Sequence, residues 1–246
     1  MSKFLPFLRS AGARHVAAAL IVASTLIAGP SVASVWTEQG DAGQTQATAQ
    51  QTYSNGPAAS LDSIGGSFGS MFDVDLYLIH IVNPGAFSAT TVGGTLMDTQ
   101  LFLFSLGGAG IYMNDDDPLY AMDANSFLLS TLVAGSVLGP VAEGFYLLGI
   151  SLNGNDPTNG APSNDLLFAS GLSTEIRGPN GSISPAVLGG FTGTTNFDEQ
   201  GAYTIKLTGV SAVPEPASGL LAALASGLCV LVSRKGSRKA AATKAA

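Results

Sequence analysis

The chain has 246 residues, with Lys+Arg 10 against Asp+Glu 17, a net charge of −7, and a single cysteine. That charge argues against a nucleic-acid or anionic-lipid surface as partner, and one cysteine excludes an internal disulfide framework. Hydrophobic residues make up 46% of the sequence, enough to bury one core without covalent staples.

The N-terminus carries Lys3, Arg9 and Arg14, then an apolar run from Val16 to Ala28, then Gly29-Pro30-Ser31-Val32-Ala33. A basic start, an apolar middle and a small-residue end form the pattern of a secretory signal peptide. Signal peptidase is expected to cut after Ala33, so residues 1–33 are an address and not part of the fold. Residues 34–64 are rich in Gln, Ala, Thr, Ser and Gly and show no apolar periodicity. They read as a linker or loosely held extension, with Trp36 and Tyr53 as pins.

From Gly65 the pattern is β, and the domain is expected over residues 65–212. Strand-like runs occupy Asp73–Val82, Phe87–Thr91, Thr99–Phe104, Ile111–Met113, Ser126–Val133, Gly144–Leu152 and Ala202–Thr208. Asn83-Pro84-Gly85 and Leu106-Gly107-Gly108 read as turns, and Asn180-Gly181 as a hairpin turn within the turn-rich stretch 153–190. Many short strands without a long amphipathic helix predict an all-β fold, an antiparallel β-sandwich or jelly roll. Leu101, Phe102, Leu103, Phe104, Phe145, Leu147, Ile150, Ile205 and Leu207 are the expected core.

Between Ser34 and Ala212 the only Lys or Arg residues are Arg177 and Lys206, against sixteen of the seventeen acids, a net charge of −14 for the exported part. One histidine, His80, and no cysteine lie there, which disfavours zinc and a Ser-His or Cys-His nucleophile. Gly107-Gly108 sits on a turn and not between a strand and a helix, so it is no phosphate cradle. Carboxylate pairs would suit glycoside hydrolysis, yet Asp115–Asp117 beside Asn114 more simply suit a hard cation. Calcium takes six to eight oxygen ligands, and Asp73, Asp75, Asn114, Asp115, Asp116, Asp117 and Asp123 supply that chemistry. A solvated acidic turn is the plain alternative. Asp156 and Asp165 read as turn residues.

The tail reads Val213-Pro214-Glu215-Pro216, a charge-free apolar run from Ala217 to Val232, then Arg234, Lys235, Arg238 and Lys239. That run is near the lower length limit for a membrane-spanning helix, and the cations behind it favour the cytoplasmic side. The order Pro-Glu-Pro, apolar helix, basic end over 213–239 resembles the PEP-CTERM sorting signal of exported bacterial proteins, with 240–246 as a short tail. The resemblance implies an exosortase-like membrane protease as partner, cutting near Val213–Pro216. The protein would sit in the inner membrane through helix 217–232 during processing, and afterwards at the cell surface or outside the cell.

A second resemblance lies in the domain. Asp73-Val-Asp75-Leu-Tyr, Phe87-Ser-Ala-Thr-Thr91, Asp98-Thr-Gln-Leu-Phe-Leu-Phe104, Gly108-Ala-Gly-Ile111, Asn114-Asp-Asp-Asp117 and Gly144-Phe-Tyr-Leu-Leu148 look like the bacterial pre-peptidase C-terminal domain, a small β-sandwich. The likeness covers about residues 65–152, with Ala202–Thr208 as last strand. It implies calcium where the Asp73/Asp75 segment meets the Asn114–Asp117 loop. The expected function is non-enzymatic: binding or adhesion at the cell surface or in extracellular matrix, toward a polysaccharide or surface protein. A purely structural matrix component and a carboxylate-dependent hydrolase are the competing expectations.

Overall fold

The structure, a computed structural model, describes residues 34–54, 60–119, 129–183, 186–195 and 198–214. The expected signal peptide with Ala33, the helix 217–232, Glu215, Pro216, the tail 240–246 and Asp123 lie outside the described residues. Among the described residues no helix is long and apolar enough to cross a membrane.

The described residues form fifteen strands: β1 (Ser34–Thr37), β2 (Gln50–Gln51), β3 (Tyr53–Ser54), β4 (Leu61–Phe68), β5 (Val74–Ile81), β6 (Ser88–Thr90), β7 (Thr99–Ser105), β8 (Gly110–Asn114), β9 (Thr131–Leu132), β10 (Gly144–Leu152), β11 (Pro157–Thr158), β12 (Gly190–Phe191), β13 (Gly201–Thr208), β14 (Val210–Ser211) and β15 (Val213–Pro214). The only described helix is a single 3₁₀ turn, Pro84–Ala86. The fold is all-β, as the strand-like runs predict.

The first sheet has the order β1-β4-β13-β6-β9, and the second β14-β5-β10-β7-β8 with β2 also on β5. Their inward side chains merge in one apolar cluster, with Leu61, Ile64, Tyr203 and Ile205 from the first and Tyr77, Ile79, Leu101 and Ile150 from the second. In β13 the burial alternates, as expected of a strand with one face in a core and one in water. In β7 residues 99–104 are all buried. The reason is a second cluster on the far side of that sheet, where Phe102, Phe104, Leu76, Met113 and Leu147 pack against Leu167 and Phe168. The stretch after β10 therefore covers the second sheet's outer face, which explains a continuous Leu-Phe-Leu-Phe run. The turn at Asn180 belongs to this cover and joins no pair of strands.

Three expectations are corrected. The sheets are mixed and not purely antiparallel, because β1 pairs β4, β2 pairs β5 and β15 pairs β3 in parallel. Residues expected as a loose extension carry β1, β2 and β3, with Ala42 and Thr52 fully buried and Trp36 edge-on to Tyr77 at 5.7 Å. Their hold is mostly backbone: Leu76 N–H donates to Gly43 O and Thr52 N–H to Leu78 O, closing the edge of β5. Such bonds need no apolar alternation, so the sequence carries no sign of them. Phe145 is 40% exposed and stacks on His80 at 4.6 Å, beyond the covered part of the outer face.

Gly209, at φ +71°, turns the chain from β13 in the first sheet to β14 in the second. A Cβ there would lie 2.7 Å from Asn83 O.

Candidate metal centre

β7 and β8 form a hairpin closed by the turn at 106–108, with Leu101 opposite Asn114. The chain just before β7 and the chain just after β8 therefore end up side by side. One carboxylate oxygen each of Asp98, Asp115 and Asp116 lies within 4.8 Å of the others. All three residues are buried, at 4%, 7% and 2% exposure, and each keeps one oxygen, Oδ1, without a hydrogen-bond partner. Burial, followed by the charges of Asp115 and Asp116, pushes the Asp98 carboxyl up to about 7. Burial and then Asp116 push Asp115 up to about 6, against the opposing pull of Gln100 and Arg177.

The surroundings hold this geometry. Asn114 Nδ2 donates to Asp116 O at 3.0 Å, and its Oδ1 accepts from Thr131 N–H at 2.9 Å. Asp98 N–H donates to Glu199 Oε2. Asp117 Oδ1 caps the next turn by accepting from Leu119 N–H. Asn114 and Asp117 thus shape the loop, and their bonded side-chain oxygens face the backbone.

Asp73 and Asp75 are not brought to this loop. Asp75 pairs with Ile150, Ile150 with Leu101, and Leu101 with Asn114. The two segments share one row of the sheet but are three strand spacings apart, about 14 Å. Asp73 caps its own turn, accepting from Gly69 N–H at 2.6 Å and Val74 N–H at 3.0 Å. Asp75 falls in a different cluster with Glu38 and Asp41. There Glu38 accepts from Ala42 N–H and Ser67 N–H, Asp41 from Gly43 N–H, and Asp75 Oδ2 from the Tyr203 hydroxyl at 2.5 Å. Tyr203 in turn meets the Tyr77 hydroxyl at 2.6 Å. Burial raises the Asp75 carboxyl to about 8, with the Tyr203 bond opposing and Glu38 adding to the rise.

A fit to calcium is decided by free oxygens. Atoms bound to one calcium lie at most about 5 Å apart, twice the bond length. The Asp98–Asp115–Asp116 cluster meets that limit and offers three unpartnered oxygens. In the Asp75 cluster both Glu38 oxygens and one oxygen each of Asp41 and Asp75 already accept hydrogen bonds, so it fits a cation less well. Asp98 is the residue sequence reading missed.

His80 Nδ1 lies 3.0 Å from Ser211 Oγ, and its Nε2 is 3.7 Å from Glu143. His80 and Ser211 are direct cross-strand partners and Ser211 is 4% exposed, so the pair is a ladder contact and not a nucleophile with its base. Asp156 is no plain turn residue, because its Oδ1 accepts from Gln100 Nε2 at 3.3 Å. No family model, curated protein or solved structure matches this chain.

Proposed function

We propose that this chain is an exported, non-enzymatic binding or adhesion protein of the cell surface or extracellular matrix. Its two sheets form a β-sandwich of the pre-peptidase C-terminal kind, stabilised by calcium at Asp98, Asp115 and Asp116. The observation that carries the cation reading is the set of three buried carboxylates, each with an oxygen that has no hydrogen-bond partner among the described residues. Export and sorting rest on the two end signals, with signal peptidase cutting after Ala33 and an exosortase-like protease cutting near Pro214–Pro216.

The hydrolase reading draws on Asp98, whose near-neutral carboxyl suits a general acid. Against it, Asp98 and Asp116 are almost sealed from solvent. A glycan array probed in calcium and in chelator, beside a panel of generic hydrolase substrates, tests the proposal. Calcium-dependent binding without turnover is expected. Turnover that is lost in Asp98→Asn would replace the binding reading by the hydrolase one. Mass spectrometry of secreted protein should find a chain starting near Ser34, and recovery of an intact Lys235–Ala246 peptide outside the cell would refute the sorting step.

A further inference from the structure

The cover over the second sheet leaves a cavity of about 110 Å³. Its walls include Met113, Pro157, Leu166 and Phe168, with Asp156 and Arg177 as its charged members and Ser170 exposed at its rim. Arg177 is one of only two Lys or Arg residues between Ser34 and Ala212 and the sole guanidinium there. Its backbone is clamped to Met113 by two hydrogen bonds of 2.9 Å, so the side chain has a fixed root.

The guanidinium is poorly satisfied. Its side chain is 16% exposed, and Nε is buried with no partner. The nearest carboxylate, Asp115 Oδ2, lies 3.6 Å from Nη2, beyond hydrogen-bond reach. Among the described residues no hydrogen bond to the guanidinium is found. A cation held out of water without its donors engaged is costly, and Arg177 lines a cavity with room for a small molecule.

We propose that this cavity is a carboxylate-binding site, with Arg177 as the anchor for a small monoanion. The planar fork of a guanidinium matches the two oxygens of a carboxylate. A doubly charged phosphate would meet Asp115 and Asp156 beside a single cation, which disfavours it. Asp156 gives Oδ1 to Gln100, and its Oδ2 accepts no hydrogen bond among the described residues. That oxygen receives a hydroxyl or ammonium next to the ligand's carboxylate, and the apolar wall takes the ligand's body. The ligand class is thus a hydroxy or amino carboxylate, free or as a unit of an acidic polymer. The site adjoins the cation cluster through Asp115, whose Oδ2 lies 3.6 Å from Arg177 Nη2, so calcium is varied in the test below.

Calorimetric titration of the purified full-length protein tests this, with sodium glucuronate, lactate and glycine as carboxylate probes and methyl glucoside as a neutral control. Each titration is run in chelator and in calcium. The carboxylates should bind and methyl glucoside should not, and the ranking of lactate against glycine identifies the donor that Asp156 receives. Arg177→Lys should weaken binding about tenfold or more, because an ammonium lacks the fork. Ser170→Trp, at the exposed rim, should block the cavity while leaving the melting temperature unchanged, which guards against an Arg177 variant that fails to fold. Absence of binding by all three carboxylates in both buffers, or equal affinity in wild type and Arg177→Gln, overturns the proposal. A calcium-raised melting temperature without carboxylate binding would sink this site alone.

Discussion

Each of the two acidic clusters contains a buried aspartate, but one grades from buried Asp75 through half-buried Glu38 to exposed Asp41 while the other is buried throughout, and they settle their charge in opposite ways. Around Asp75 the fold supplies donors: a tyrosine hydroxyl for one oxygen and backbone amides for Glu38 and Asp41. Burial raises the Asp75 carboxyl to about 8, which favours its protonated form. Around Asp98, Asp115 and Asp116 the fold supplies shape but too few donors, and three oxygens are left open. A buried carboxylate therefore says little by itself about metal binding. What distinguishes a ligand from a core acid is whether its oxygens are already engaged.

The largest expected effect breaks the satisfied cluster. A Cβ on Gly66 would lie 2.5 Å from the Tyr77 hydroxyl and also collide with Tyr203. Gly66→Ala should force the two tyrosines apart and unpair Asp75. Overpacking and a lost buried hydrogen bond together should cost about 3 kcal/mol in chemical denaturation. An unchanged midpoint would mean that the tyrosine chain bears no stability.

The next effect separates the clusters. Calcium at 100 times its Kd should add about 2.7 kcal/mol to native stability, a rise of several degrees in melting temperature. Asp116→Asn or Asp98→Asn should abolish the rise, and Asp75→Asn should leave it intact. Loss of the rise in Asp75→Asn would return that residue to the site. No rise in wild type between excess chelator and millimolar calcium would reduce the open cluster to a strained loop.

A third effect is on pH. Asp75, Asp98 and Asp115 have native carboxyls raised above 3.8, so folding binds protons there. Their contribution is complete below about pH 4 and is lost as pH rises through about 6, 7 and 8. In chelator the melting temperature should fall over that window. Calcium should remove the part owed to Asp98 and Asp115, since it favours their charged forms. Asp75→Asn should flatten the upper part, near pH 8. A flat profile in wild type without calcium would contradict both assignments.

Much of the fold is legible in the sequence where side chains determine it. The run Gly144–Leu152 coincides with β10, and β5, β7 and β13 fall within a residue or two of the expected strands. The parallel pairings of β1 with β4 and of β2 with β5, in different sheets, are not legible, because they rest on bonds between backbones. Asp115 and Asp116 could be picked out as acids on a turn. Asp98 could not, because its role depends on which residue the hairpin places opposite the turn. Asp75 misled for a related reason: an acid on an inward strand position looks the same in sequence whether a tyrosine or a cation answers it.

The scarcity of cations between Ser34 and Ala212 has a further consequence, for resistance to proteolysis. Proteases that cut after Lys or Arg have two targets there. Arg177 has both its backbone groups bonded to Met113. Lys206 lies in the middle of β13, between β4 and β6, with its ammonium on Val92 O. Cleavage needs a segment that can be drawn out as a free strand, which exposed loop tips provide and a paired strand does not. Trypsin-like enzymes should therefore leave the folded body whole until it opens globally, and the rate of digestion should report unfolding rather than nicking.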